Sequence, residues 1–142
     1  MRLSNMADYA VVTMSAAARH CGGQRVSATD LASETGLPLP TVQKLVSLLT
    51  RAQLLRSARG AHGGLQLARP AAAITLADIV EAVEGPIAIA SCCDEGRQAC
   101  TLEGACAVQP HWSQVNTTLR GALAAVPLTQ LARTPVASKV PA

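Results

Sequence analysis

The chain has no phenylalanine, and its only other large aromatics are Tyr9 and Trp112 among 142 residues. Interleaved aromatics are the usual grip on single-stranded nucleic acid, so that mode of binding is nearly excluded. A core without aromatic bulk must be filled by Leu, Val, Ile and Ala, which suits closely packed helices better than a β-sandwich. Long apolar runs are missing too: residues 10–18 are small and apolar but far short of the roughly 20 residues that a bilayer demands. They lie in an amphipathic pattern, and no small-residue cleavage site follows a basic start. Neither a membrane span nor a secretory leader is expected, and the expected compartment is the cytoplasm. There is no Gly-rich phosphate loop, no recognisable carboxylate pair and no Ser/His/Asp set. His20, His62 and His111 are scattered, so neither an enzyme nor a small-molecule substrate is expected.

Acidic residues are scarce in one half only. Residues 1–70 carry eight Lys/Arg against three Asp/Glu, and residues 71–142 carry four against six. The front is therefore basic and the rear mildly acidic, an asymmetry that fits a polyanion-binding front. With 49% hydrophobic and 15% charged residues the chain can bury a real core. The length suits one domain, or a DNA-binding unit with a small sensory extension.

Hydrophobic periodicity predicts a first helix over 7–20, closed by Gly22-Gly23. Ser27 opens a short second helix with Asp30 as capping-box partner, and Gly36 ends it. After a tight turn, a third helix begins near Pro40-Thr41 with Val42, Leu45, Val46 and Leu49 on one apolar stripe. Thr41, Gln43, Lys44, Ser47 and Arg51 lie on its opposite face. Leu55–Ser57 and Leu65–Leu67 alternate around a Gly-rich tip and read as a hairpin. Thr75, with Asp78, opens a fourth helix that stops at Gly85-Pro86. Residues 86–110 lack a period and hold four of the five cysteines. Trp112, Val115, Leu119, Ala122 and Val126 then form a heptad-like seam on a helix over 111–125, suited to a helix from a second subunit. Residues 134–142 read as a frayed tail.

The expected fold is mainly α with a small β-hairpin wing: a winged helix-turn-helix over 1–70, then a fourth helix, cysteine loop and long dimerisation helix over 71–133. Double-stranded DNA is the expected partner. Thr41, Gln43 and Lys44 sit where a recognition helix enters the major groove, where Gln pairs with adenine and Lys reaches guanine or phosphate. Ser47 and Arg51 extend that face. Arg59, His62 and Gly63 stand at a wing tip narrow enough for the minor groove.

Cys93, Cys100 and Cys106 are spaced by six and five residues, with Cys92 adjacent to the first. Zinc knuckles use C-x2–4-C pairs, and no C-x-x-C occurs here. Wider spacing favours a multi-iron cluster wrapped by a loop; zinc and unliganded thiols stay open as alternatives. Cys92, Asp8 and His111 are candidates for a further ligand. Cys21 reads as a small buried residue.

The order of several motifs resembles the iron–sulfur regulators of the IscR and NsrR type. These are Met1-Arg2-Leu3-Ser4, Asp8-Tyr9-Ala10-Val11, Arg59-Gly60-Ala61-His62-Gly63-Gly64-Leu65, Ala77 through Gly85, and Cys106 through Trp112. The resemblance covers roughly residues 1–133 and is greatest to the proteobacterial regulators of the SUF cluster-assembly operon. It implies a homodimeric transcription regulator with a 2Fe–2S or 4Fe–4S cluster on Cys93, Cys100 and Cys106 near the dimer interface. Cys92 is an alternative first ligand. Some family members place a histidine three residues after the last cysteine; here that position is Gln109, a poor iron ligand. Asp8 stands where nitric-oxide-sensing members supply an acidic ligand from the other subunit. A nitric-oxide or redox sensor, or a zinc or thiol regulator, of the same architecture is the alternative. Gln53 departs from the glycine common just after the recognition helix, at a cost of up to about 1 kcal/mol if that residue is left-handed.

Overall fold

A computed structural model describes residues 1–20, 24–61, 63–96, 100–102 and 104–133. Cys21, Gly22-Gly23, the wing-tip His62 and the tail 134–142 therefore lie outside the described residues.

The first helix, α1, spans Asn5–Arg19. It starts two residues before the apolar period does, because the Ser4 hydroxyl accepts the Ala7 N–H at 3.1 Å. Ala7, Ala10, Met14, Ala16, Ala17 and Ala18 are all buried, so α1 is the central post and its small residues let neighbours close in. Among the buried side chains of the described residues, only the Thr13 hydroxyl has no hydrogen-bond partner.

Helix α2 spans Ala28–Thr35 and is opened by the expected reciprocal box. Asp30 N–H donates to Ser27 Oγ at 3.0 Å, and Ser27 N–H donates to Asp30 Oδ2 at 3.1 Å. Gly36 ends it at φ +74, the left-handed conformation that glycine adopts without penalty. Helix α3 covers Leu39–Arg51, with Pro40 in its first turn and Val42, Leu45 and Leu49 buried. Gln53 leaves α3 at φ +61, left-handed as its position implies.

The hairpin strands β1 (Leu55–Ala58) and β2 (Gly64–Leu67) pair antiparallel, with Leu55 opposite Leu67 and Arg56 opposite Gln66. A third strand element, absent from the sequence expectation, joins them. Val26 N–H donates to Leu65 O at 3.1 Å and Leu65 N–H donates to Val26 O at 2.7 Å.

Helix α4, Leu76–Glu84, carries the second reciprocal box, Thr75 with Asp78, and stops at Gly85. Helix α5, Gln109–Ala124, starts two residues earlier than its seam suggests and ends before Val126. A short α6, Leu128–Leu131, was not foreseen. It returns the chain to the core: Leu128 N–H donates to Ile74 O at 2.8 Å, Leu76 N–H donates to Val126 O at 2.9 Å, and Leu128 is fully buried.

One apolar cluster unites Met14, Leu31, Leu45, Leu49, Leu55, Ile74, Ile79 and Leu128. It draws on residues from both sides of position 70. The helical pair α2–α3 and the hairpin are thereby mounted on α1 and α4 as one body.

Candidate nucleic-acid interface and cysteine segment

The outward face of α3 follows from its helical period. With Val42, Leu45 and Leu49 facing the core, Gln43, Lys44, Ser47 and Arg51 fall in an arc of about 100° on the other side, and all four are exposed. Thr41 lies at the edge of that arc and is half-buried. Ser47 Oγ donates to Gln43 O at 3.1 Å, which satisfies its hydroxyl within the helix. Arg51 closes the arc in the last turn, where a cation complements the helix dipole.

At the wing tip Arg59 is exposed and Gly60 has φ +107. Gly63 N–H donates to Gly60 O at 2.8 Å. A Cβ at Gly63 would stand 2.6 Å from Ala58 O and 2.8 Å from Gly60 O. This turn therefore admits only glycine at 63, and its tightness keeps the tip narrow. The structure brings Arg59 and Gly63 together there; α3 joins the same wing through β1.

An ionic cluster fastens α2 to α1 behind this surface. Glu34 accepts from His20 Nε2 at 2.6 Å and from Arg19 Nη2 at 3.0 Å. The bond from His20, then that from Arg19, holds the Glu34 carboxyl below its ordinary pKa.

The cysteine segment is organised differently. From Pro86 to Ala90 it is clamped by side chains that sequence reasoning did not single out. Ile89 N–H donates to Asn116 Oδ1 at 2.8 Å, and Asn116 Nδ2 donates to Ile87 O at 3.0 Å. Ile87 N–H donates to Glu81 Oε1 at 3.3 Å, while Arg120 grips the same carboxylate at 2.9 and 3.1 Å. The three residues lie on α4 and α5, so the start of the loop is tied to both helices. No local pattern signals this, since each bond spans 6 to 39 residues of sequence.

Immediately after the clamp, Ser91–Cys93 forms a 3-10 turn packed on α5. Cys106 sits at the foot of α5, where its carbonyl accepts the Gln109 N–H at 3.3 Å. Cys92, Cys93, Cys100 and Cys106 are free thiols and all half-buried. Burial first, and then the adjacent Cys93 and nearby Cys100, push the Cys92 thiol above its ordinary pKa. Asp8 is exposed in the first turn of α1, and His111 is exposed in the first turn of α5. Among the described residues no three of His, Cys, Asp or Glu converge tightly enough to hold a metal ion. The donor chemistry fits iron, since thiols are soft ligands and these four are partly shielded, on a segment with the left-handed Gly104 to bend it.

Comparison with known proteins gives the same architecture. The profile of the family described as "Rrf2: Iron-dependent Transcriptional regulator" matches residues 3–134. A putative HTH-type transcriptional regulator, ORF2, of Azotobacter vinelandii is 31% identical over 92% of this chain and 79% of its own length. The HTH-type transcriptional regulator IscR of Photorhabdus laumondii is 29% identical over the same shares of the two chains. Among solved structures, CymR, the global cysteine regulator of B. subtilis, is similar at a TM-score of 0.72 and 28% identity, covering 93% of this chain and 96% of that one. These relatives are transcriptional regulators and not enzymes, and their winged-helix fold is the fold described above. Among the described residues no helix is long and apolar enough to cross a membrane.

Proposed function

The chain belongs to the Rrf2 family of transcriptional regulators and is IscR-like, and on that premise we propose that it is a cytoplasmic, homodimeric repressor of double-stranded operators controlled by an iron–sulfur cluster. Its targets on this reading are the genes of SUF cluster assembly, as the resemblance implies. Thr41, Gln43, Lys44, Ser47 and Arg51 read the major groove, while Arg59, His62 and Gly63 approach the minor groove. Cys93, Cys100 and Cys106 hold the cluster, with Cys92, Asp8 of the second subunit or His111 as further ligand. When bound, the cluster supplies an oxygen- and redox-labile template that orders the thiolates.

One observation supports the regulatory link most: the turn that holds Cys93 packs on α5, Cys106 is bonded to the first residue of α5, and α5 is bonded through Arg120 and Asn116 to α4 and its loop. Helix α4 in turn packs on α1 and α3. Ordering of the thiols therefore acts on the frame that carries the recognition helix. A dimer must match half-sites about one DNA turn apart, so a small change in that frame alters affinity.

Anaerobic purification with absorption spectroscopy and iron and sulfide analysis tests the cofactor; zinc without visible absorption would end it. Duplex binding by loaded and cluster-free protein tests the control, and equal affinities at every SUF promoter tried would remove it. The likeness to CymR favours one second reading: a thiol regulator of the same fold, in which the half-buried free thiols Cys92, Cys93 and Cys100 respond to oxidation without iron.

A further inference from the structure

The outer face of the wing sheet carries cations that none of the roles above uses. Strand alternation turns Val26, Leu55 and Leu65 into the core. It places Arg56 of β1, Gln66 of β2 and Arg25, just before the Val26 bridge, on the opposite face. Arg56 and Gln66 stand directly opposite in register. With its amide oxygen turned toward the guanidinium, Gln66 accepts from Arg56 Nη2 at 2.8 Å and Nε at 3.2 Å. That pair holds the guanidinium across the strands and leaves its Nη1–Nη2 edge for another acceptor.

Arg25 approaches the same row because β2 begins with glycine. Gly64 has φ +145, and a Cβ there would lie 2.9 Å from Arg25 Cβ. Any side chain at 64 would push the arginine away. Between the two arginines lies an open groove of about 360 Å³ lined by Arg25, Arg56, Ser57, Ala58 and Gln66, with no carboxylate among them. The flanking strands are two spacings apart, about 10 Å, which two arginine side chains close onto a single anion.

We propose that this groove seats a backbone phosphate of double-stranded DNA, gripped by Arg25 and Arg56, with Gln66 as the residue that positions Arg56. The groove has neither an aromatic wall nor an enclosed apolar floor to hold a free nucleotide base, so the phosphodiester of a duplex is the ligand of matching chemistry. The site rests on the DNA-binding reading and adds to it a contact that is blind to base sequence.

The test is the salt dependence of binding to two fluorescent duplexes, a SUF promoter fragment and a scrambled sequence of equal length. Each phosphate contact contributes about 0.9 to the slope of log affinity against log salt. Loss of the one seated phosphate in Arg25→Ala/Arg56→Ala should therefore lower the slope by about 0.9 on both duplexes and leave the ratio of their affinities unchanged. Arg25→Lys/Arg56→Lys should keep the slope, and it keeps the test readable if the alanine variant does not fold. An alanine variant that melts like the wild type with its slope unchanged overturns the site. So does a lysine variant that loses the slope as well, because packing rather than charge would then be at work. A wild type that binds neither duplex removes the DNA reading and this site together; a wild type that binds beside an unaffected variant removes the site alone.

Discussion

Helices α4 and α5 lie against each other and are built on opposite principles. Helix α4 has nine residues, a reciprocal cap and three fully buried apolar side chains, Ala77, Ile79 and Val80. Helix α5 has sixteen residues, no side-chain cap and no buried residue at all. An isolated helix of that length is marginal in water, so α5 depends on what it is tied to. These ties are Asn116 and Arg120. Elsewhere along α5, Trp112 and Val115 remain 37% and 43% exposed, the surface that the proposed second subunit would cover. One helix is fixed by the core; the other is held by a few polar bonds and is free to answer a change in its surroundings.

The widest expected gap is between two apolar truncations. Ile79→Ala should cost about 2–5 kcal/mol, read from denaturant unfolding. Val115→Ala should cost under about 0.5 kcal/mol in dilute protein. If the dimer forms through this face, wild-type melting rises with protein concentration and Val115→Asp abolishes that rise. Equal costs for the two truncations in dilute protein would erase the contrast.

Asn116→Ala removes two hydrogen bonds and should cost about 1–3 kcal/mol. Its distinctive signature is faster amide exchange at Ile89 with little change at the buried amides of α4; uniform acceleration would mean that the clamp is part of the core.

Gln53→Gly should stabilise by about 1 kcal/mol or less, since only the left-handed strain at φ +61 is relieved. A loss of stability there would show that the glutamine side chain contributes more than its backbone costs.

The smallest effect is on acid tolerance. Glu34 has its pKa depressed in the folded chain by His20 and then Arg19, so its contribution is present above the ordinary value of 4.5 and fades as pH falls below it. The stability difference between wild type and Glu34→Gln should therefore be seen at neutral pH and vanish toward pH 3. Parallel acid curves would remove the ion cluster as a stabilising element.

Much of the DNA-reading half is legible in the sequence because its signals are local. Ser27 with Asp30, Thr75 with Asp78, Gly36 and the α3 stripe each act within a few residues. Gln53 even betrayed its left-handed backbone by standing at a glycine position. The misses share the opposite character. Val26 forms a single bridge with no period of its own, and α6 is a four-residue helix that exists because Leu128 is packed. Val126 looked like the end of the α5 seam, yet its carbonyl serves α4 instead. Cysteine spacing named candidate ligands but not what anchors them, since Asn116 and Arg120 reach back 27 to 39 residues.

Leu128 also sets an order of manufacture. It is fully buried in the same cluster as Met14, Leu31 and Leu45, yet it follows the whole cysteine segment and α5 in the chain. During synthesis the helices of the DNA-reading half lack this last stone until the cysteine segment and α5 have been made. A chain that ends before residue 128 lacks the side chain that closes the cluster beside Ile74, and its core is incomplete.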